Sequence, residues 1–122
     1  MDFEHQGKTY HNPVEFALAQ IGGTWKTPIL WRLHKNTMRY GELRKSMHKV
    51  THKMLTQQLR ELEADGYLHR RVYAEVPPRV EYSLTEKGQA VMPVVKALRN
   101  WGLELMRDAG IEKGPEQKEN HQ

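Results

Sequence analysis

Lys53, Thr56, Gln57 and Arg60 stand at i, i+3, i+4 and i+7, the spacing that places four side chains on one face of an α-helix. Together they carry the groups that read duplex nucleic acid. A glutamine amide can bond adenine with a donor and an acceptor at once, a lysine donates to guanine, and a threonine offers a hydroxyl and a methyl. Arg60, farther from the helix start, suits a phosphate better than a base, and His52 stands next to this set. Met54, Leu55, Gln58, Leu59 and Leu62 share the opposite side, as a helix packed on a core requires. A polar face of this kind is also the ordinary solvated side of an amphipathic helix, so the neighbouring chain must decide between the two.

That neighbouring chain is a hairpin. From Leu68 to Glu75 and from Val80 to Leu84 the apolar period is two, with Val80, Tyr82 and Leu84 alternating against Glu81 and Ser83. Pro77-Pro78 cannot continue a ladder and places the turn. Arg79 follows directly, where a stiff approach would hold its guanidinium near the tip for a narrow minor groove. The competing expectation is a local pair with Glu75 or Glu81, worth under about 1 kcal/mol at a surface. A helix for the major groove beside a basic loop is the winged helix-turn-helix arrangement.

The elements that must position these groups are marked by caps. Asn12 fits an N-cap, with Pro13 at the first helical position and Glu15 placed to complete a capping box. Val14, Ala17, Leu18 and Ile21 form its apolar face, and Gly22-Gly23 ends it. Thr24 is expected to cap a second helix reaching about His34, with Trp25, Ile29, Leu30 and Leu33 buried. Met38 to Tyr40 is a candidate short strand, and Gly41 to Met47 a two-turn helix. After the turn His48-Lys49-Val50, Thr51 caps the helix that ends at Asp65 and Gly66. Thr85 caps a last helix striped by Val91, Val95, Leu98, Trp101 and Leu105, which Pro93 should kink or restart. The fold class expected is α+β, a winged helix-turn-helix with flanking N- and C-terminal dimerisation helices. Residues 1–11 form an N-terminal arm, 12–109 the domain, and 110–122 a tail with nothing to bury, expected to be disordered.

Bulk composition narrows the function classes. The 122 residues carry 38% hydrophobic side chains at a mean hydropathy of -0.82, lean for a self-sufficient domain, so a second copy is expected to cover apolar surface. Residues 26 to 79 hold 12 Lys and Arg against 5 Asp and Glu, net +7, while the flanks are net -2 and -1. Charge concentrated on the suspected reader suits phosphate neutralisation. No apolar run reaches a membrane span and the start is acidic rather than basic then apolar; a cytoplasmic protein, associated with the nucleoid through bound DNA, is expected. With no cysteine there is no nucleophilic thiol and no thiol redox switch. No cofactor, metal or catalytic site is expected: His48 and His52 lack further ligands, and Ser46 near His48 is the only serine and histidine in proximity. Tyr10, Trp101 and methionines could line a small-molecule pocket at a dimer interface, although packing accounts for them first.

The chain resembles the HxlR family of bacterial winged-helix transcriptional regulators. The resemblance rests on Asn12-Pro13-Val14-Glu15, Ile21-Gly22-Gly23-Thr24-Trp25, Ile29-Leu30, Tyr40-Gly41-Glu42-Leu43-Arg44, the run Met54 to Glu63, and the run Glu75 to Gly88. These lie in one order across residues 12 to 103. The resemblance implies a homodimer joined through its first and last helices at Val14, Leu18, Val91, Val95, Leu98, Trp101 and Leu105, with each winged helix reading half of an inverted repeat in double-stranded DNA. It implies that Lys53, Thr56, Gln57 and Arg60 lie in or beside the major groove and Arg79 in the minor groove; the residues themselves add Arg39, Lys49, Thr51 and His52 around them as further DNA-contact candidates. Redox-sensing members carry a cysteine where this chain has Asn12, so thiol sensing does not transfer. The effector is left open: a small molecule, a partner protein or none. The rival reading is a winged-helix protein-interaction module with only non-specific DNA binding.

Overall fold

The computed structural model describes residues 1–112 and divides into two compact units, Met1–Met92 and the chain from Pro93 on. The tail expected to be disordered lies, from residue 113, outside the described residues.

The first unit opens with a feature the sequence reading missed. Residues assigned to a plain arm form a two-stranded hairpin, β1 (Phe3–His5) and β2 (Lys8–Tyr10), paired Phe3 to Tyr10 and His5 to Lys8. Gln6 and Gly7 both take positive φ, 51° and 80°, which is the two-residue turn whose twist matches antiparallel strands. Phe3 and Tyr10 pack with Phe16 of the next helix, ring centroids 5.2 and 5.0 Å from it. That helix, α1 (Pro13–Ile21), starts at Asn12, whose side-chain oxygen accepts from the Glu15 N–H at 2.7 Å.

Helix α2 (Lys26–Lys35) begins later than expected. Trp25, not Thr24, holds the N-cap position and contributes no side-chain bond. The entry is tied instead by Thr27, whose hydroxyl donates to the Ile21 carbonyl at 2.8 Å. Its buried side is Lys26, Ile29, Leu30 and Leu33, with Trp25 only half-buried. Strand β3 (Met38–Arg39) leads into α3 (Tyr40–Ser46), and Glu42 accepts from the Arg39 N–H at 2.8 Å. Arg32 bolts α2 to the end of α3, donating to the Ser46 hydroxyl at 3.0 Å and the Ser46 carbonyl at 3.1 Å. The Ser46 hydroxyl itself donates to the Leu43 carbonyl at 2.7 Å, a packing role.

Helix α4 (His52–Ala64) follows the turn, capped by Thr51, whose hydroxyl accepts from the Met54 N–H at 3.1 Å. Leu55, Leu59 and Leu62 are fully buried, as are Leu30 and Leu43, and Met47 and Val50 are buried, so every helix of the helix-turn-helix contributes to the apolar core. Gly66 ends α4 with the left-handed φ of 86° expected of it. Strands β4 (Leu68–Tyr73) and β5 (Arg79–Leu84) pair antiparallel, and β3 joins the other edge of β5 to give the order β3-β5-β4. Thr85 then knots the sheet to α5 (Glu86–Ala90): its hydroxyl donates to the Gly66 carbonyl at 2.6 Å and accepts from the Gly88 N–H at 3.0 Å. Gly88 is obligatory by space, since a Cβ there would sit 2.4 Å from the Tyr67 carbonyl oxygen.

A new helix, α6 (Met92–Asp108), restarts beside Pro93 as its position required. Most of it belongs to the second unit. At about 100° per residue Val94, Leu98, Trp101 and Leu105 fall on one stripe, and all four are exposed, Trp101 at 59%. The expected stripe included Val91 and Val95. Val91 lies in the turn between α5 and α6, and Val95 is only 2% exposed, rotated off the stripe that Val94 occupies. The helix closes at Gly110 and Ile111, which donate to the carbonyls of Arg107 and Met106 at 3.1 and 2.8 Å.

Candidate nucleic-acid interface

Helix α4 separates its residues by chemistry. His52, Lys53, Gln57 and Arg60 are exposed, Thr56 is half-buried, and with Glu61 these six line one shallow concavity along the helix. Met54, expected on the core side, is partly exposed, because it lies at the edge of the buried stripe. The first turn of α4 holds no acidic residue and Lys53 in it is exposed, an arrangement that favours an anion near this end of the helix. Thr51, committed to the Met54 N–H, keeps its hydroxyl at that same end.

His52 is oriented by a neighbour from α3. The Tyr40 hydroxyl bonds its Nδ1, and the two rings meet edge to face at 5.3 Å. Lys49 is exposed in the turn before α4 and takes a positive φ of 68°, a backbone state costly for a residue with a Cβ. Arg39 is exposed at the end of β3, its position paired with Glu81 of β5.

The wing differs from expectation at Arg79. The turn spans 74–78, with Val76 fully exposed, but Arg79 belongs to β5 and its side chain is only 26% exposed. Its guanidinium lies 3.8 Å over the ring of Tyr73, the residue opposite it, and Nη2 pairs with Glu75 at 3.0 Å. Glu81 stands 3.8 Å from Nε, too far to accept a hydrogen bond, and that Nε is buried with no hydrogen-bond partner among the described residues. The local pairing that the sequence left as the alternative therefore holds in the free protein. Arg70 and Arg71 on β4 are exposed.

Sequence reasoning missed Lys26 and Glu61. Lys26 is the one buried charged residue of the described chain, and its Nζ pairs with Glu61 at 2.6 Å. The second oxygen of Glu61 accepts from the Gln57 Nε2 at 3.2 Å. The Lys26 hydrogen bond holds the Glu61 carboxyl below the usual glutamate range, against the opposing effect of burial. The only sequence signal is a lysine inside an apolar run with a glutamate on another helix, a pattern too common to single out.

The comparisons with known proteins bear on the family and the fold. The HxlR-like helix-turn-helix family matches residues 20–109. The HTH-type transcriptional regulator YybR of Bacillus subtilis is 47% identical over 107 residues, covering 83% of this chain and 86% of that protein. An HTH-type transcriptional regulator of Methanothermobacter thermautotrophicus is 51% identical over 89 residues, 73% of this chain and 68% of its own. Among solved structures, the redox regulator HypR in its reduced form superposes with a TM-score of 0.75 at 49% identity, covering 80% of this chain and 96% of that one. The present chain has no cysteine, so HypR is a likeness in fold and family without a shared thiol. The chain belongs to the HxlR-like helix-turn-helix family and is a transcriptional regulator of the helix-turn-helix type.

Proposed function

We propose that the protein acts as a homodimer on an inverted-repeat operator in double-stranded DNA, each copy placing α4 in a major groove and its wing along the adjacent minor groove. One observation supports the reading above others: Lys53, Thr56, Gln57 and Arg60 are turned outward on the same helix whose Leu55, Leu59 and Leu62 are fully buried. Base contacts come from Lys53, Thr56 and Gln57, phosphate contacts from Arg39, Lys49, Thr51, His52 and Arg60. Arg79 reaches the minor groove by leaving its carboxylate partners.

Dimerisation is the second half of the reading. Val14 and Leu18 of α1 are exposed, as are Leu98, Trp101 and Leu105 of α6, and apolar stripes of this kind call for a cover. Regulation then acts by changing the angle between two winged helices. Such a protein works in the cytoplasm, on the nucleoid. Tyr10, considered as part of an effector pocket with Trp101, packs against Phe3 and Phe16 instead, which leaves an effector unassigned.

Selection of bound fragments from genomic DNA tests the proposal. A single shared palindrome with half-site centres about 10 base pairs apart, or a multiple of that, is the expected outcome. Retention of unrelated fragments with equal affinity would favour the interaction-module reading.

A further inference from the structure

Gln57 can bind adenine only if its amide is the right way round. Bidentate readout needs the carbonyl oxygen to accept from N6 while an N–H donates to N7, and a flipped amide presents those groups in exchanged positions. Nothing intrinsic to glutamine prevents the flip. Here the Nε2 donates to Glu61 at 3.2 Å, and exchanging nitrogen for oxygen would set a carbonyl oxygen against a carboxylate. One N–H is therefore committed, while the other N–H and Oε1 stay available, the donor and acceptor that adenine requires.

Glu61 can do this only while it is charged and held in place. It is the one acidic side chain lining the concavity on α4, and a bare carboxylate there would repel the phosphates of a duplex. Lys26 answers both needs. Its ammonium, 10% exposed and reaching across from α2, takes one carboxylate oxygen at 2.6 Å and leaves the other for Gln57. A buried lysine–glutamate pair adds little to stability on its own account, because apolar residues of similar volume often serve as well or better. Its placement behind the reading face gives it a different use.

We infer that Lys26, on a helix outside the interface, sets base specificity by fixing the Gln57 amide through Glu61. It is a positioning residue and touches no DNA. The inference rests on the reading of α4 as the base-contacting helix.

The test compares Lys26→Met, which keeps the buried stem, with wild type by fluorescence anisotropy. The probes are the palindrome selected by the wild-type protein, that palindrome with its adenines exchanged one at a time, and a random duplex. Lys26→Met is expected to lower the ratio of palindrome to exchanged-adenine affinity about fivefold to tenfold, the lower end of what one bidentate contact supplies. In a Gln57→Ala background the same substitution should change the ratio no further. A folded Lys26→Met protein with the wild-type ratio, or additive losses in the double variant, overturns the inference while the reading of α4 stands. A wild type with no preferred sequence overturns both. A further measurement needs no variant: in wild-type protein the Gln57 side-chain amide resonances should shift on acidification with the protonation of Glu61, and resonances that stay fixed through that range contradict the linkage.

Discussion

Replacing both Glu75 and Glu81 with glutamine should make the protein bind DNA more tightly, because it frees a guanidinium that the free protein keeps closed. Arg79 is held by the Glu75 pair at 3.0 Å, by Glu81 at 3.8 Å and by the ring of Tyr73 at 3.8 Å. Each partly exposed ion pair contributes at most about 1 kcal/mol, and the ring contact roughly 0.5 to 1 kcal/mol. Moving Arg79 onto a phosphate or into a groove therefore costs on the order of 2 kcal/mol before any gain. The Glu75→Gln, Glu81→Gln double variant removes the ion-pair share, about 1 kcal/mol or slightly more, which is roughly a fivefold to tenfold tightening. The Arg79 Nε, paired with Glu81 only at 3.8 Å, has no hydrogen-bond acceptor among the described residues, so a phosphate oxygen offers Arg79 a bond the wing does not. Anisotropy titrations at fixed ionic strength measure the change, and the same pair of substitutions in an Arg79→Ala background supplies the control. Tightening of equal size in that background would show only a change in net charge and would refute the clamp.

Three further outcomes follow from the same geometry. Gln57→Ala should reduce discrimination between operator and altered duplexes by about 1 to 3 kcal/mol, while Arg60→Ala weakens every duplex alike; a competition series distinguishes them, and an unchanged operator preference in Gln57→Ala contradicts the assignment. Gly88→Ala forces a Cβ to 2.4 Å from the Tyr67 carbonyl oxygen, so denaturant melts should show a loss of at least about 2 kcal/mol, and a wild-type melt would disprove the close approach. Because the folded-state pKa of Glu61 is lowered by Lys26, the stability it confers is complete above the ordinary glutamate range and is lost as pH falls through the lowered value. Acid titration of Glu61→Gln should show a smaller acid-side decline than wild type, and parallel curves would rule the linkage out.

The parts of the fold that the sequence displayed are those fixed by local rules. Asn12, Thr51 and Thr85 announce their helices because a short polar side chain can satisfy an orphan N–H only at a helix start. The period-two run from Val80 to Leu84 and the double proline place the wing, and Pro93 places the restart of the last helix. What escaped depends on partners distant in the chain. The burial of Lys26 is intelligible only with Glu61 beside it, and of the contacts that hold Arg79 the Glu75 pair is legible in the sequence whereas the Tyr73 ring opposite it is not. A helical stripe is wide enough for the sequence to place Val95 with Leu98 and Trp101, and only packing decides which of Val94 and Val95 it includes. The β1–β2 hairpin escaped because its strands are three residues each and its turn opens with Gln6, a residue seldom found at positive φ.

The central claim is that the outward face of α4 reads base edges from the major groove. Substituting 7-deazapurines in the selected operator tests it most directly, since the change deletes the N7 acceptors while keeping base pairing and the minor groove. Affinity for such an operator should fall toward that of a random duplex. Affinity equal to that of the natural operator would contradict it.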